Sequence, residues 1–237
     1  MNTLDKIKNV DLALEDLKAG KMVIVVDDED RENEGDFIIP ADKATAEDIN
    51  FMMKHGRGLL CVAITEDTSS KLDLGLMVKS NTSKHETNFT VSVDAREGVT
   101  TGISSKDRWR TTQILNDPDS KPHDLSRPGH MFPLIAKNGG VLRRAGHTEA
   151  SVDLAKLANC NPCALLVEIV DEDGSMARLD RLKEIAEEHD LRLISIAELI
   201  EYRRKKDKLV KRLLDIPFPN SFGDFKLELF EDNIHGD

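Results

Sequence analysis

Ten residues, DDEDRENEGD at positions 27–36, hold seven carboxylates and one arginine. Most acidic runs are solvated turns, and that reading applies here too. Two features favour chemistry instead. The run is clamped between the apolar stretches MVIVV (22–26) and FIIPA (37–41), so buried strands fix both of its ends. Arg31, Glu32, Glu34 and Asp36 also fall within six residues, enough oxygen donors for a hard cation beside an anion-binding arginine. Mg2+ or Mn2+ suits such donors.

RRAGHTEA (143–150) is the second candidate. Arg143 and Arg144 precede a small Ala145-Gly146 turn, and His147 and Thr148 then stand at the mouth of a helix. Free backbone N–H groups and the helix dipole favour phosphate there. Arg144 can add a two-pronged contact and Thr148 a hydroxyl. A plain helix cap would explain Thr148 but not the clustering. His130, in RPGHMFPLI (127–135), follows a Pro-Gly turn and precedes an apolar strand; alone it reads as a structural histidine. Glu168 interrupts the run CALLVEIV (163–170), where period-two alternation puts it on the same face as Leu166. A carboxylate on a buried strand needs a partner, a metal or a proton, and a raised pKa would make it a general acid or base; an edge strand with a wet face is the alternative. Cys160-x-x-Cys163 lacks a second pair for zinc and stands helix-before-strand, the reverse of a redox motif, so ordinary buried thiols are expected.

These residues need a scaffold, and the hydrophobic patterning supplies one. Leu4, Ile7, Leu14 and Leu17 lie on one helical face that Gly20 terminates. GLLCVAIT, FTVSVDA, CALLVEIV and LRLISI read as strands. Thr45 with Asp48, Ser104 with Asp107 and Ser195 with Glu198 mark helix starts, and TEASVDLAKLAN and RLDRLKEIAEEH are further helices. The alternation indicates one α/β or α+β domain, with some strands antiparallel. A boundary is expected near residue 200, giving a catalytic domain over 1–200 and a tail over 201–237. In that tail the helix opened by Ser195 is read as running toward Leu214, through the basic exposed stretch YRRKKDKLVKRL.

The chain has 237 residues and a formal charge of −11, which argues against nonspecific binding to nucleic acid or anionic membranes. Aromatics at 4% are too few for a base-stacking platform. Neither a signal peptide nor a membrane-spanning run is evident, so a cytoplasmic location is expected.

Taken as a set, DEDRENEGD, HGRGLLCVA, TTGISSKDRWRT, RPGHMFPL, RRAGHTEASVDLA and ALLVEIVDEDG occur in this order. Over roughly residues 4–200 the chain closely resembles the 3,4-dihydroxy-2-butanone 4-phosphate synthases of riboflavin biosynthesis. The resemblance implies a lyase, with a mixed β-sheet flanked by helices. Its reaction would take D-ribulose 5-phosphate to L-3,4-dihydroxy-2-butanone 4-phosphate plus formate, with Mg2+ or Mn2+. It implies Glu32 and His147 as metal ligands. Arg31, Glu32, Asp36, Glu168 and the stretch Arg144, Ala145, Gly146, His147 and Thr148 would hold the sugar phosphate, and His130 and Glu168 would be essential for catalysis. A homodimer with sites near the subunit interface is implied as well. IPFPNSFGDFKL (216–227) resembles the opening of a GTP cyclohydrolase II domain, read as cut short or vestigial, and no cyclohydrolase activity is expected. Two rivals stand beside this reading: a magnesium-dependent phosphohydrolase and a noncatalytic sugar-phosphate module.

Overall fold

The computed structural model describes residues 3–232 and 234. Helix α1 (Thr3–Lys18) leads through Gly20, whose φ of +86° suits glycine, into strand β1 (Val23–Val26). Then follow β2 (Gly35–Pro40), α2 (Ala46–Phe51) extended by a π-turn (Met52–Gly56), β3 (Cys61–Ile64) and α3 (Glu66–Lys71). A long loop precedes β4 (Val93–Ala95), α4 (Ser105–Asn116) and β5 (Leu125–Ile135). The domain closes with α5 (His147–Leu157), β6 (Ala164–Glu168), α6 (Leu179–Glu188), β7 (Arg192–Ser195) and α7 (Ile196–Lys206).

Seven strands form one mixed sheet in the order β4-β5-β3-β6-β2-β1-β7, with β1–β7 and β3–β5 parallel and the other pairs antiparallel. Strand alternation sorts the core into two layers. Ile24, Phe37, Ile39, Val62, Leu165 and Val167 pack with Ile49, Ile114 and Leu182 of α2, α4 and α6. Val23, Val25, Ile38, Cys61 and Leu166 pack with Leu14, Leu154 and Leu199 of α1, α5 and α7. Because side chains alternate, Asp36 shares the face of Ile38, and Glu168 the face of Leu166. Register pairs Asp36 with Glu168 and Cys61 with Leu166. Three polar side chains from three adjacent strands therefore meet on the α5 side of the sheet.

The expected helix starts are present: Thr45 with Asp48 and Ser195 with Glu198 form reciprocal capping boxes, and the Ser104 hydroxyl accepts from Asp107 N. On α1, Leu14 and Leu17 are buried as the spacing predicts, Ile7 is partly buried, and Val10, which the spacing did not single out, is buried with them; the Leu4 side chain lies outside what is described.

Two readings of the tail are corrected. The last helix ends at Lys206, and the segment expected to continue it toward Leu214 is a strand, β8 (Val210–Asn220), paired antiparallel with β9 (Gly223–Asp232). Pro217 and Pro219 bar a helix, and period-two alternation prevails over the run of basic residues. It places Leu214–Leu229, Ile216–Leu227 and Phe218–Phe225 as cross-strand pairs on one hairpin face. All six side chains are exposed. Nor does core-building stop at 200: Tyr202 is buried, and Arg203 bonds Asp153 of α5 at 2.7 Å and Asp207 at 2.8 Å. The compact body extends to Asp207. The last stretch, FKLELFEDNIHGD (225–237), has the alternation of a strand and supplies most of β9; its residues 233 and 235–237 lie outside the described set.

Candidate active site

Asp27, the first polar residue after β1, organises the acidic loop. Its side chain is fully enclosed; Oδ2 accepts from Arg31 Nη1 (2.8 Å) and Glu32 N (3.2 Å), and Oδ1 from Glu34 N (2.9 Å). Arg31 also donates to Glu32 at 2.5 Å, so its charge is shared between two carboxylates. The run is thus a folded loop and not a solvated turn. Nothing in the sequence marked Asp27 among seven similar residues.

His147 is the first residue of α5, capped by Gly146. Its Nε2–H donates to Val25 O at 3.1 Å, which leaves Nδ1 facing Glu32 Oε2 and Asp36 Oδ1, each 3.8 Å away. Asp27, Glu32 and His147 each offer one donor atom, all within 4.8 Å of one another. A carbonyl that fixes one ring nitrogen and turns the other toward carboxylates is the usual setting of a metal-ligating histidine. Asp36 is buried, and its Oδ1 has no hydrogen-bond partner among the described residues. An oxygen in that condition wants a proton or a cation.

Electrostatics follow from this crowding. Burial raises the Asp36 carboxyl to about 7, against the pull of His147 and with help from Glu168, Glu34 and Glu32. His147 is raised to about 9, because Asp36, Glu32 and Asp27 together outweigh the burial that opposes its charge. Glu32 is held down at about 2, chiefly by the His147 imidazole 3.8 Å away and further by Arg31, against burial. Burial pushes the nearby Glu34 up, with the charges of Glu32 and Glu168 adding to it.

Glu168 ends β6 beside this group, half-buried. It is not left without a partner: Oε2 accepts from Leu59 N at 2.8 Å, and Gly58 N donates to its carbonyl. A Cβ on Gly58 would stand 2.6 Å from that Oε2, so the glycine lets the chain approach the carboxylate. Arg31, Glu32, Glu34, Asp36, His147, Thr148 and Glu168 line one small cleft with Arg144, Leu59, Cys61, Thr87 and Phe89. Cys61, Thr87 and Phe89 were not foreseen. The Cys61 thiol is pushed well up by burial and by the Glu168 and Asp36 charges, which keeps it protonated. A groove lined by Met77, Ser83, Lys84 and His85 adjoins the cleft, sharing Glu32, Thr87 and Phe89 with it.

Two expected site residues stand differently. Arg144 reaches the cleft, but its guanidinium makes four hydrogen bonds within the chain: Glu149 at 2.6 Å, His85 O at 3.2 and 2.9 Å, and Thr87 Oγ1 at 3.1 Å. It straps the loop before β4 onto α5 and contributes charge more than a free two-pronged edge. Gly146 serves that strap, since a Cβ there would fall 2.2 Å from Arg144 Nη1. Ala145 is exposed beside it, and Thr148 is the second helical residue, not the cap. His130 does not line the cleft; its ring is 43% exposed and its Nδ1 lies 2.6 Å from Asp94 Oδ2. Cys160 and Cys163 are free thiols raised by burial, as expected of ordinary packing.

The 3,4-dihydroxy-2-butanone 4-phosphate synthase family model matches residues 11–202. The chain belongs to that family. Among relatives of this synthase family, the riboflavin biosynthesis protein RibBA of Chlorobium phaeovibrioides is 56% identical over 227 residues, covering 95% of this chain and 55% of its own. The chain thus spans about half the length of the curated relatives it matches. A crystal structure of RibBX, a two-domain 3,4-dihydroxy-2-butanone 4-phosphate synthase from A. baumannii, superposes with a TM-score of 0.88 at 44% identity, over 96% of this chain and 67% of that one. A synthase structure in complex with two magnesium ions gives a TM-score of 0.81 at 39% identity, over 83% of this chain and 97% of that one. Among the described residues no helix is long and apolar enough to cross a membrane.

Proposed function

We propose that the chain converts D-ribulose 5-phosphate to L-3,4-dihydroxy-2-butanone 4-phosphate and formate, as a divalent-metal-dependent lyase of riboflavin biosynthesis. The observation that carries this is the donor set Asp27, Glu32 and His147 beside a buried Asp36 with an unpartnered oxygen. Mg2+ or Mn2+ fits it: two carboxylate oxygens and one imidazole nitrogen, with Asp36 oxygen adjacent. When bound, such a cation supplies Lewis-acid polarisation of the hydroxy-ketone oxygens.

The chain's own residues do the rest. Substrate and product formulas balance with no net water or oxidant, so the site must chiefly move protons while the carbon skeleton rearranges. Asp36, raised to about 7, can take or return a proton near neutrality, and Glu168 stands opposite it on the next strand. The N-terminus of α5, with Thr148 and the Arg144 charge, favours the phosphate. Asp27 and Arg31 hold the loop that closes one side. His130 lies outside this cleft on an exposed stretch, which supports a homodimer in which a second copy brings its His130 to the site.

Formate release from ribulose 5-phosphate tests the reading. Turnover should vanish in excess chelator and return with Mg2+ or Mn2+. Release of inorganic phosphate instead would favour a phosphohydrolase, and neither product would favour a binding module. The hairpin β8–β9 fits the opening of a second domain, as the doubled length of the relatives supports. A cytoplasmic setting, with no nucleic acid or membrane partner, fits the net negative charge.

A further inference from the structure

The motif TTGISSKDRWRT lies outside the cleft, yet it is folded around one side-chain pair. Strand β4 pairs with β5 through Val93↔Met131, and the next partner of Asp94 is Ser126, so Arg127–His130 bulge out of the ladder. The Asp94 carboxylate fills the gap. Oδ1 accepts the His130 backbone N–H at 2.9 Å, and Oδ2 lies 2.6 Å from His130 Nδ1. Its side chain is 11% exposed, against 43% for the histidine.

The surrounding loop is built to this pair. Gly102, at φ +96°, lies so close that a Cβ would fall 2.2 Å from Asp94 Oδ2 and 2.7 Å from His130 Nδ1. Asp107 of α4 holds the loop in place, accepting from Thr100 N, Thr100 Oγ1 and Gly102 N at 3.2, 2.7 and 3.1 Å. Arg108 of the same helix, whose Nε makes no hydrogen bond among the described residues, feels the Asp94 charge. Asp94 therefore has a cation nearby whether or not the imidazole is charged.

We propose that Asp94 is the positioning residue of His130. An ionised carboxylate only accepts hydrogen bonds, so it fixes the neutral ring with its proton on Nδ1. Nε2 of this exposed ring is then bare, ready to exchange a proton with substrate. The TTGISS loop exists to hold this arrangement. The inference rests on the reading that His130 is catalytic, and the test separates the two.

Formate release is measured for Asp94→Asn, Asp94→Glu, His130→Ala and the Asp94→Asn/His130→Ala double variant. Asn presents an amide N–H to Nδ1 and favours the other tautomer. Asp94→Asn should lower kcat on the order of 10²–10⁴-fold with KM changed less than about threefold. Asp94→Glu should recover part of the loss. In the His130→Ala background, Asp94→Asn should cost no more than about twofold further, because it acts through the ring. Losses that multiply, or a near-normal Asp94→Asn beside a dead His130→Ala, would overturn the positioning role alone. An active His130→Ala would overturn the catalytic assignment of His130, and the inference with it. Ring 15N shifts of the neutral His130 imidazole in the unaltered protein should show Nδ1–H; an Nε2–H tautomer would also overturn the proposal whatever the variants do.

Discussion

Two histidines of this chain each sit beside carboxylates and are built for different work. His147 is buried, its Nε2 proton committed to a main-chain carbonyl and its Nδ1 turned toward Glu32 and Asp36. His130 is exposed, its Nδ1 committed to Asp94. In the first case Nδ1 faces a cage of negative charge, which suits a cation there, a proton or a metal ion. In the second Nε2 is the nitrogen the carboxylate leaves uncommitted on an exposed ring, which suits a proton acceptor. Residue type is the same; the nitrogen that the fold occupies decides the chemistry.

Removing each ring in turn breaks that comparison open. The largest loss is expected from Glu32→Gln or His147→Ala: formate release should fall below detection, and calorimetric titration should show no Mg2+ binding. His130→Ala should lose most of its turnover, to a small but measurable residue, while binding Mg2+ as the unaltered protein does. If both histidine variants lost the metal, the division of labour drawn here would be wrong.

Glu168→Gln comes next. Turnover should fall roughly a hundredfold or more with KM much less affected, the pattern of a proton-transferring group. The amide can still accept from Leu59 N, so the melting temperature should hold within a few degrees. A collapsed melting temperature would make Glu168 a brace for the Gly58–Leu59 turn instead.

Arg144→Ala should raise KM roughly 10- to 150-fold through loss of a charge-assisted contact. It should also destabilise the protein, since the His85 and Glu149 bonds go with it. A change in KM with no change in melting temperature would mean that the strap is dispensable.

A smaller effect, but one with a definite sign, comes from pH. Folding raises His147 from an ordinary 6.5 to about 9, so its stabilisation is fully present below pH 6.5 and is lost as pH rises through 9. Asp36, raised to about 7 from 3.8, acts in the same sense at lower pH. The melting temperature of metal-free protein should therefore fall between pH 6.5 and 9, and saturating Mg2+ should flatten the fall. A rise over that window would contradict the cage described for His147.

The smallest effect is expected far from both histidines. A chain ending at Asp207 keeps Tyr202 and the Arg203–Asp153 pair, and it should fold and release formate at close to the full rate. Large losses would show that the hairpin supports the synthase domain.

Much of this was legible beforehand because it is local. The three helix starts depend on residues three apart, and the strands flanking the acidic loop announce themselves by unbroken apolar runs. Glu32, Asp36, His147 and Glu168 were likewise visible, as polar residues at rigid ends. Asp27 was not, because only burial distinguishes it from its neighbours. Asp94 was not, because its partner is 36 residues away and the pairing of the two strands that carry them is irregular. The first strand of the hairpin was misread because a basic run masked a period-two pattern, whereas the alternation of the second was plain.

The sequence by itself determined the elements, their caps and the inventory of groups able to bind a cation and a phosphate, since those follow from short-range spacing and residue chemistry. Tertiary structure decided which groups meet and which atom each one offers. Val25 and His147 are 122 residues apart, Leu59 and Glu168 109, and His85 and Arg144 59. Such contacts are set by strand order and register across the sheet, and no local pattern along the chain encodes them.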